Sequence, residues 1–367
     1  MPEINQSFAL LSERLMLLAG LAYAVAFCAY AWDLFTFSQA AKRGLAADTR
    51  ATAVAAGVEK DAVLAGVGSG AARGSAGQDL GAGPQDRGVR PSSKTHAGTD
   101  GVTAGDSMRY GKERRVVARV AVALTILAAV VQGFAVLFRG LAAGRVPWGN
   151  MYEFCTTGSF AVAVVFLLVL TRRDLRFLGT FVIGLVLVMV VAASVAFWTP
   201  VGHLVPALQS YWLVIHVSIA VLSSAFFTLT FAMSVLQLFQ SRREASIASG
   251  KPDKFHVMRL VPNALSLENL SYRINGIAFV GWTLTLMFGS IWAEKAWGRF
   301  WGWDTKEVWT FVIWVVYAGY LHARATKGWT GTRAAWLSIV GYLCVVFNFT
   351  IVNVYFSGLH SYAGVGS

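Results

Sequence analysis

Long apolar runs separated by short polar segments make up most of this chain. Several runs exceed the roughly 20 residues that an α-helix needs to cross the hydrocarbon core of a bilayer. The pattern therefore predicts an all-α polytopic membrane protein with about eight transmembrane helices. The predicted spans are Leu15–Phe35, Val116–Leu137, Met151–Leu170, Phe177–Phe197, Tyr211–Phe239, Ile274–Ile291, Val308–Leu321 and Ala335–Phe356.

The composition changes sharply after the first apolar run. Residues 41–106 are rich in Gly, Ala and Ser and contain almost no aromatic residues. Such a segment cannot bury enough apolar surface to offset the entropy lost on ordering. We therefore expect three regions: a first transmembrane helix in residues 1–37, a cytoplasmic Gly/Ala-rich disordered linker in 38–115, and a membrane domain in 116–367.

The basic residues indicate the orientation of the spans. With the N-terminus outside, the linker and the polar segments Thr171–Arg176, Ser241–Arg273 and Arg324–Arg333 face the cytoplasm. All but six of the 31 Lys and Arg residues then lie on the cytoplasmic side, as the positive-inside rule requires. We expect both termini to be extracytoplasmic. The six outer basic residues are Arg14, Arg139, Arg145, Lys295, Arg299 and Lys306.

Composition excludes several other classes. The chain is 56% hydrophobic and only 14% charged, too few charged residues to cover the surface of a soluble protein of this size. The net charge of +12 lies in segments between spans, not on a basic helix face, so no nucleic-acid partner is expected. The three cysteines form no CxxC pair, which argues against a thiol redox site.

Residues 292–309 form a dense aromatic segment on the predicted outer face. It holds Trp292, Trp297, Trp301, Trp303 and Trp309, interspersed with glycines and with acidic residues that include Asp304. Tryptophan is enriched at membrane interfaces, so one interpretation is an aromatic belt. The other is a platform for a large planar apolar ligand. These residues alone leave both interpretations open.

Two histidines fall on the same predicted face. His216 lies just inside the fifth span, and His360 follows the last span. Two imidazoles beside an aromatic platform favour a pair of axial ligands for a haem iron. His203, in an outer loop, ranks behind them. The nearby segment Pro147–Glu153 is also polar and aromatic, and we expect its Glu153 to face the bundle interior or a cavity.

His322 lies deeper, about 14 residues or roughly 21 Å from the outer end of the seventh predicted span. An ionisable residue at that depth is a candidate functional residue, here for a second haem position. The alternative is that His322 extends with Arg324 to the cytoplasmic surface.

These residues resemble the system II cytochrome c biogenesis proteins of the CcsA/ResC family, called CcsB in some bacteria. The resemblance covers the chain from about residue 116 to its end and depends on a tryptophan-rich "WWD" segment. Thr305 stands where the family often has proline. The matching stretches, in the family's order, are NMYE at 150–153, PALQSYWLVIHV at 206–217, WGRFWGWDTKEVW at 297–309, YLHAR at 320–324 and GLHSY at 358–362.

The resemblance implies a multi-pass cell-membrane protein that brings haem b to the extracytoplasmic face. His216 and His360 match the family's two external histidines, the WWD segment lies against the haem, and His322 matches a membrane-embedded histidine. The implied partners are a ResB-type membrane protein and apocytochrome c, whose CxxCH thiols form thioether bonds with the haem vinyl groups. The resemblance thus implies that the chain is a component of a cytochrome c synthase, or haem lyase, complex.

No catalytic residue is assigned, because no outer residue resembles an activated nucleophile. Proximity to ferrous haem can suffice for attack on the vinyl groups, so whether the chain itself is an enzyme stays open. Three alternatives also stay open: a haem exporter without lyase activity, a b-type cytochrome subunit of a quinone oxidoreductase, and a membrane scaffold with an aromatic belt.

Overall fold

The computed structural model describes residues 3–66, 107–110, 115–326 and 328–360, and the regular elements in these ranges are all helices. The predicted all-α class is therefore confirmed. The α-helices are α1 Gln6–Gly66, α2 Val116–Ala143, α3 Met151–Leu170, α4 Gly179–Ala196, α5 Tyr211–Ala248, α6 Ala264–Trp297, α7 Thr305–Ala325, α8 Thr332–Phe349 and α9 Ile351–Tyr355.

Within the described ranges, seven helical segments are long and apolar enough to cross a membrane, which confirms the polytopic class. The predicted span Val308–Leu321 is not among the seven. It corresponds to α7, whose mean hydropathy is lowered by several tyrosines and tryptophans and by His322 and Arg324. Because α7 packs against both α6 and α8, we infer that it crosses the membrane beside them.

The first part of the predicted linker differs from the prediction. Residues 38–66 continue α1 as helix, whereas the sequence pattern predicted disorder from residue 38. This stretch is rich in alanine, the strongest helix former, and extending an existing helix avoids the unfavourable nucleation step. The lack of apolar surface in the linker therefore does not prevent it from extending a helix that already exists. Of the rest of the linker, residues 67–106 and 111–114 lie outside the described residues.

The predicted outer segments lie at one end of the bundle, and the predicted inner segments lie at the other. At the first end, the backbone N–H of Asn5 donates to the carbonyl of Ala142 at 3.0 Å. At the opposite end, the N–H of Asp174 donates to the carbonyl of Met108 at 2.8 Å. We call these the outer and inner ends. Which end faces the cytoplasm remains the prediction made from the distribution of basic residues.

Polar and small residues hold α1 to the rest of the bundle. Fully buried alanines of α1 and α2, such as Ala19 and Ala128, lie in one hydrophobic cluster, and small residues of this kind allow packed helices to approach closely. Buried Gln132 of α2 accepts a hydrogen bond from the Tyr23 hydroxyl at 2.8 Å and donates one to Ser159 Oγ of α3 at 2.8 Å. The first helix is thus an integral part of the fold.

Candidate functional site

A cavity opens at the outer end of the bundle, between α3, α5, α6, α7 and the segment after α8. The space within it that can hold the centre of a water molecule is about 150 Å³, and the cavity is open to its surroundings at the mouth. Its walls are largely aromatic, with Phe154, Trp282, Trp292, Phe300, Trp301 and Phe349 among the lining residues.

His216 lines this cavity from the second turn of α5. Its Nδ1 lies 2.9 Å from the backbone carbonyl oxygen of Thr285 on α6. A carbonyl only accepts, so Nδ1 carries the proton and donates, and Nε2 keeps its lone pair. The imidazole also stacks on the Trp292 indole, with ring centroids 5.9 Å apart and planes 11° apart. The ring is therefore held in one tautomer and one orientation.

His360 lines the same cavity from the segment that follows α9. Its Nδ1 donates to Asp304 Oδ2 at 2.5 Å, which again leaves Nε2 as the nitrogen with a free lone pair. Its ring meets Trp292 edge to face at 5.4 Å and Trp297 at 4.8 Å. Trp292 thus contacts both imidazoles, although the two histidines are far apart in the sequence.

Asp304 links the aromatic segment to His360. It is the N-cap of α7 and forms a capping box with Glu307, in which each side chain accepts from the other residue's backbone N–H. The hydrogen bond from His360, opposed by partial burial, holds the pKa of the Asp304 carboxyl below its usual value. Thr305 occupies the first position of α7, where proline is also favoured, so this departure from the family pattern preserves the cap.

The tryptophans of the aromatic segment divide into three groups. Trp292 and Trp301 line the cavity. Trp297 lies behind them and contacts Trp292 and His360. Trp303 is 75% exposed with φ of 60°, and Trp309 packs away from the cavity on Phe347 at 4.3 Å. The segment therefore supplies one side of an aromatic pocket, and its five indoles do not form a single flat platform.

The other predicted residues lie elsewhere. His322 is exposed on the last turn of α7, roughly 26 Å along that helix from its outer start. The nearby Arg324 does not extend freely to the surface, because its guanidinium pairs with Glu268 at 2.7 Å.

His203 lines a separate outer groove beside the cavity. Glu153 is fully buried, and Arg139 and Arg145 pair with it at 3.1 and 2.8 Å. Its predicted inward orientation is confirmed.

Some polar atoms of the cavity wall lack partners among the described residues, and two of the residues that carry them, Trp148 and Asn348, were not predicted from the sequence to be site residues. The indole N–H groups of Trp148 and Trp301 are shielded from solvent and have no hydrogen-bond acceptor among the described residues. Asn348 Oδ1 is also buried there without a donor. Trp148 falls within the polar and aromatic segment already noted, but nothing in the sequence distinguished Asn348 from an ordinary helix-packing residue. Unpaired polar atoms in an aromatic pocket fit a ligand that is mainly apolar with polar substituents.

The donor set fits a metal held in a macrocycle better than a bare ion. Among the described residues, no group of three His, Cys, Asp or Glu side chains lies close enough to hold a metal. Two imidazoles with free Nε2 atoms are the donor set expected for an iron whose other four ligands come from a porphyrin. The aromatic walls suit the faces of such a ring.

Known proteins match the same part of the chain. The sequence pattern of the family described as "Cytochrome C assembly protein" matches residues 148–360, a segment that begins and ends on cavity-lining residues. A cytochrome c biogenesis protein CcsA from Synechococcus sp. strain RCC307 is 34% identical over 271 residues, covering 69% of this chain and 87% of that protein.

Two further relatives carry the same name. The CcsA of Chlamydomonas reinhardtii is 33% identical over 271 residues, covering 72% of this chain and 73% of that protein. The CcsA of Porphyra purpurea is 31% identical over 277 residues, with 66% and 87% covered. With the family pattern spanning more than half of its length, this chain belongs to the cytochrome c assembly protein family, and it is similar to CcsA proteins.

Proposed function

We propose that this chain serves cytochrome c biogenesis by holding haem b in the outer cavity and presenting it to apocytochrome c. The observation that carries the proposal is the convergence of His216 and His360 on one aromatic cavity, each with Nδ1 engaged and Nε2 available. The resemblance to CcsA proteins independently supports a role in the same process.

In the proposed mechanism the protein acts mainly by positioning. His216 and His360 cap the iron, Trp292 and Trp301 contact the ring, and the open mouth leaves an edge accessible to the CxxCH thiols. Each thioether bond forms when a thiol S–H adds across a vinyl group, so the addition needs no oxidant or reductant. We propose no nucleophile or general base from this chain.

His322 takes a different part in the proposal. Its exposure on the side of α7, far from the cavity, leaves its imidazole accessible to a neighbouring membrane protein. We propose that it binds haem on the way from the inner side of the membrane, with the second iron ligand supplied by a ResB-type partner. A b-type cytochrome subunit would instead pair histidines at matching depths within one bundle.

The test is the absorption spectrum of the purified protein, co-expressed with its partner, before and after reduction with dithionite. We expect sharp ferrous Soret and α bands that weaken in His216→Ala and in His360→Ala. The matched control is His203→Ala, which removes an outer-end histidine that does not line the cavity. The proposal is contradicted if the spectrum is unchanged in His216→Ala and His360→Ala, or if the purified protein contains no haem.

A haem exporter without attachment activity is separated by a second measurement. Variants of the cavity wall such as Trp301→Ala are assayed for haem reaching the outer face and for holocytochrome c formed. The proposal predicts that holocytochrome falls more than haem export does. Equal losses in both measurements favour the exporter.

A further inference from the structure

Lys306 is a basic residue of the cavity wall that makes no direct ion pair with a carboxylate of the described residues. It is the second residue of α7 and lines the cavity. Its ammonium donates to Asn353 Oδ1 at 2.8 Å and to the backbone carbonyl of Asn348 at 3.3 Å, and it lies 5.0 Å from the ring centroid of Phe349. Within the described ranges it forms no ion pair with a carboxylate.

The neighbouring carboxylates make no ion pair with Lys306, although the charge of Asp304 acts on it through space and Glu307 Oε1 is buried without a partner among the described residues. Asp304 accepts from His360 and caps α7, while Glu307 accepts the backbone N–H groups of Gly302 and Asp304. An ammonium carries three N–H donors, and only two neutral acceptors contact that of Lys306. A cation withdrawn from water with only neutral partners is costly unless a counter-charge is supplied. The cavity is where that counter-charge can enter.

Lys306 also stabilises the end of α8, and this structural role is separate from binding a ligand. Asn348 lies in the last turn of α8, where unpaired carbonyls attract cations. Capping α8 explains the contact with the carbonyl of Asn348. It does not explain why the charged side chain lines a largely aromatic cavity.

We propose that Lys306 binds a carboxylate of the ligand, which for haem is a propionate. The charge pair directs the propionate edge of the ring toward the junction of α7 with α8 and α9, and makes the cavity selective for porphyrins with free acid groups. This inference rests on the proposed function, because it specifies how haem is oriented in the same cavity.

The test compares two ligands that differ only in the carboxylates, haem b and its dimethyl ester. Each is titrated into the purified full-length protein, and dissociation constants are read from the Soret band. We expect the natural protein to bind haem about 10- to 100-fold more tightly than the ester, as is usual for hydrogen bonds to charged groups. Lys306→Met should lose this preference, whereas Lys306→Arg should retain most of it.

The matched control is Lys295→Met, which removes a lysine at the outer end whose side chain is 59% exposed and paired with Glu294. It should keep the full preference for haem. Equal affinities of the natural protein for haem and ester overturn the inference even if Lys306→Met fails to fold. A preference that survives in folded Lys306→Met also overturns it. If neither porphyrin binds to the natural protein, the proposed function fails and this inference fails with it.

Discussion

His216 and Gly289 face each other where α5 crosses α6. A Cβ placed at Gly289 would lie 2.7 Å from His216 Cε1 and 2.9 Å from Nδ1, closer than atoms of a side chain and a ring can pack. Any larger residue at this position must therefore displace the imidazole. Because the ring is held between Thr285 and Trp292, displacement breaks contacts that fix the direction of Nε2.

We expect Gly289→Ala to weaken haem binding about 10- to 100-fold and to change the ferrous spectrum, while the helix itself is not destabilised. The measurement is a haem titration alongside a thermal melt. The control is Gly276→Ala on the same helix, where an added Cβ meets nothing within 4 Å. Equal haem affinities for the two alanine variants would show that the ring tolerates displacement.

At the residue scale, the sequence allowed some of the site to be predicted and not the rest. His216 and His360 could be placed on one face because span order and basic residues determine which ends of the helices coincide. From the sequence alone, Lys306 is one of the outer basic residues and nothing more. Its role depends on side-chain contacts with Asn353 and Phe349, which come from other elements and which no spacing rule reports.

Asp304, at the start of α7, has two functions. Asp304 caps the helix through its carboxylate and also holds His360. Asparagine caps helices about as well as aspartate, so the two functions can be separated by one substitution that removes only the charge.

We expect Asp304→Asn to keep the thermal stability of the protein and to lower its haem affinity about 10- to 100-fold, as is usual when the residue that orients a metal ligand is changed. Melting temperature and haem titration are compared with Glu294→Gln, which removes a more exposed acid at the same end. Haem binding that is unchanged in Asp304→Asn would mean that the carboxylate charge does not help to hold His360.

The ends of the helices were predicted well where an apolar run meets a capping residue, and less well elsewhere. The span Met151–Leu170 coincides with α3, because Asn150 provides a side-chain cap at its start. The helices α5 and α6 instead extend into the predicted loop Ser241–Arg273, and α1 extends into the predicted linker. Hydrophobicity marks where a membrane ends, and a helix with good intrinsic propensity does not have to end there.

At the scale of the whole molecule, the fold defines the two ends of the bundle. The distribution of basic residues predicts which of these ends faces the cytoplasm. The orientation can be tested with single cysteines in a background where Cys28, Cys155 and Cys344 are replaced by alanine. We expect Lys295→Cys to react with a membrane-impermeant maleimide in intact cells, and Arg172→Cys to react only after permeabilisation. Both positions are exposed, at opposite ends of the bundle. The reverse labelling pattern would contradict extracytoplasmic placement of the cavity.

The residues that line the cavity extend along the sequence from Trp148, before α3, to His360, after α9. The ribosome must therefore translate every membrane-crossing helix described above before the second imidazole emerges. A chain still in synthesis offers His216 without its counterpart and cannot cap both sides of an iron. In the proposed function, the order of translation itself keeps a nascent, half-inserted chain from capturing haem in an unfinished site.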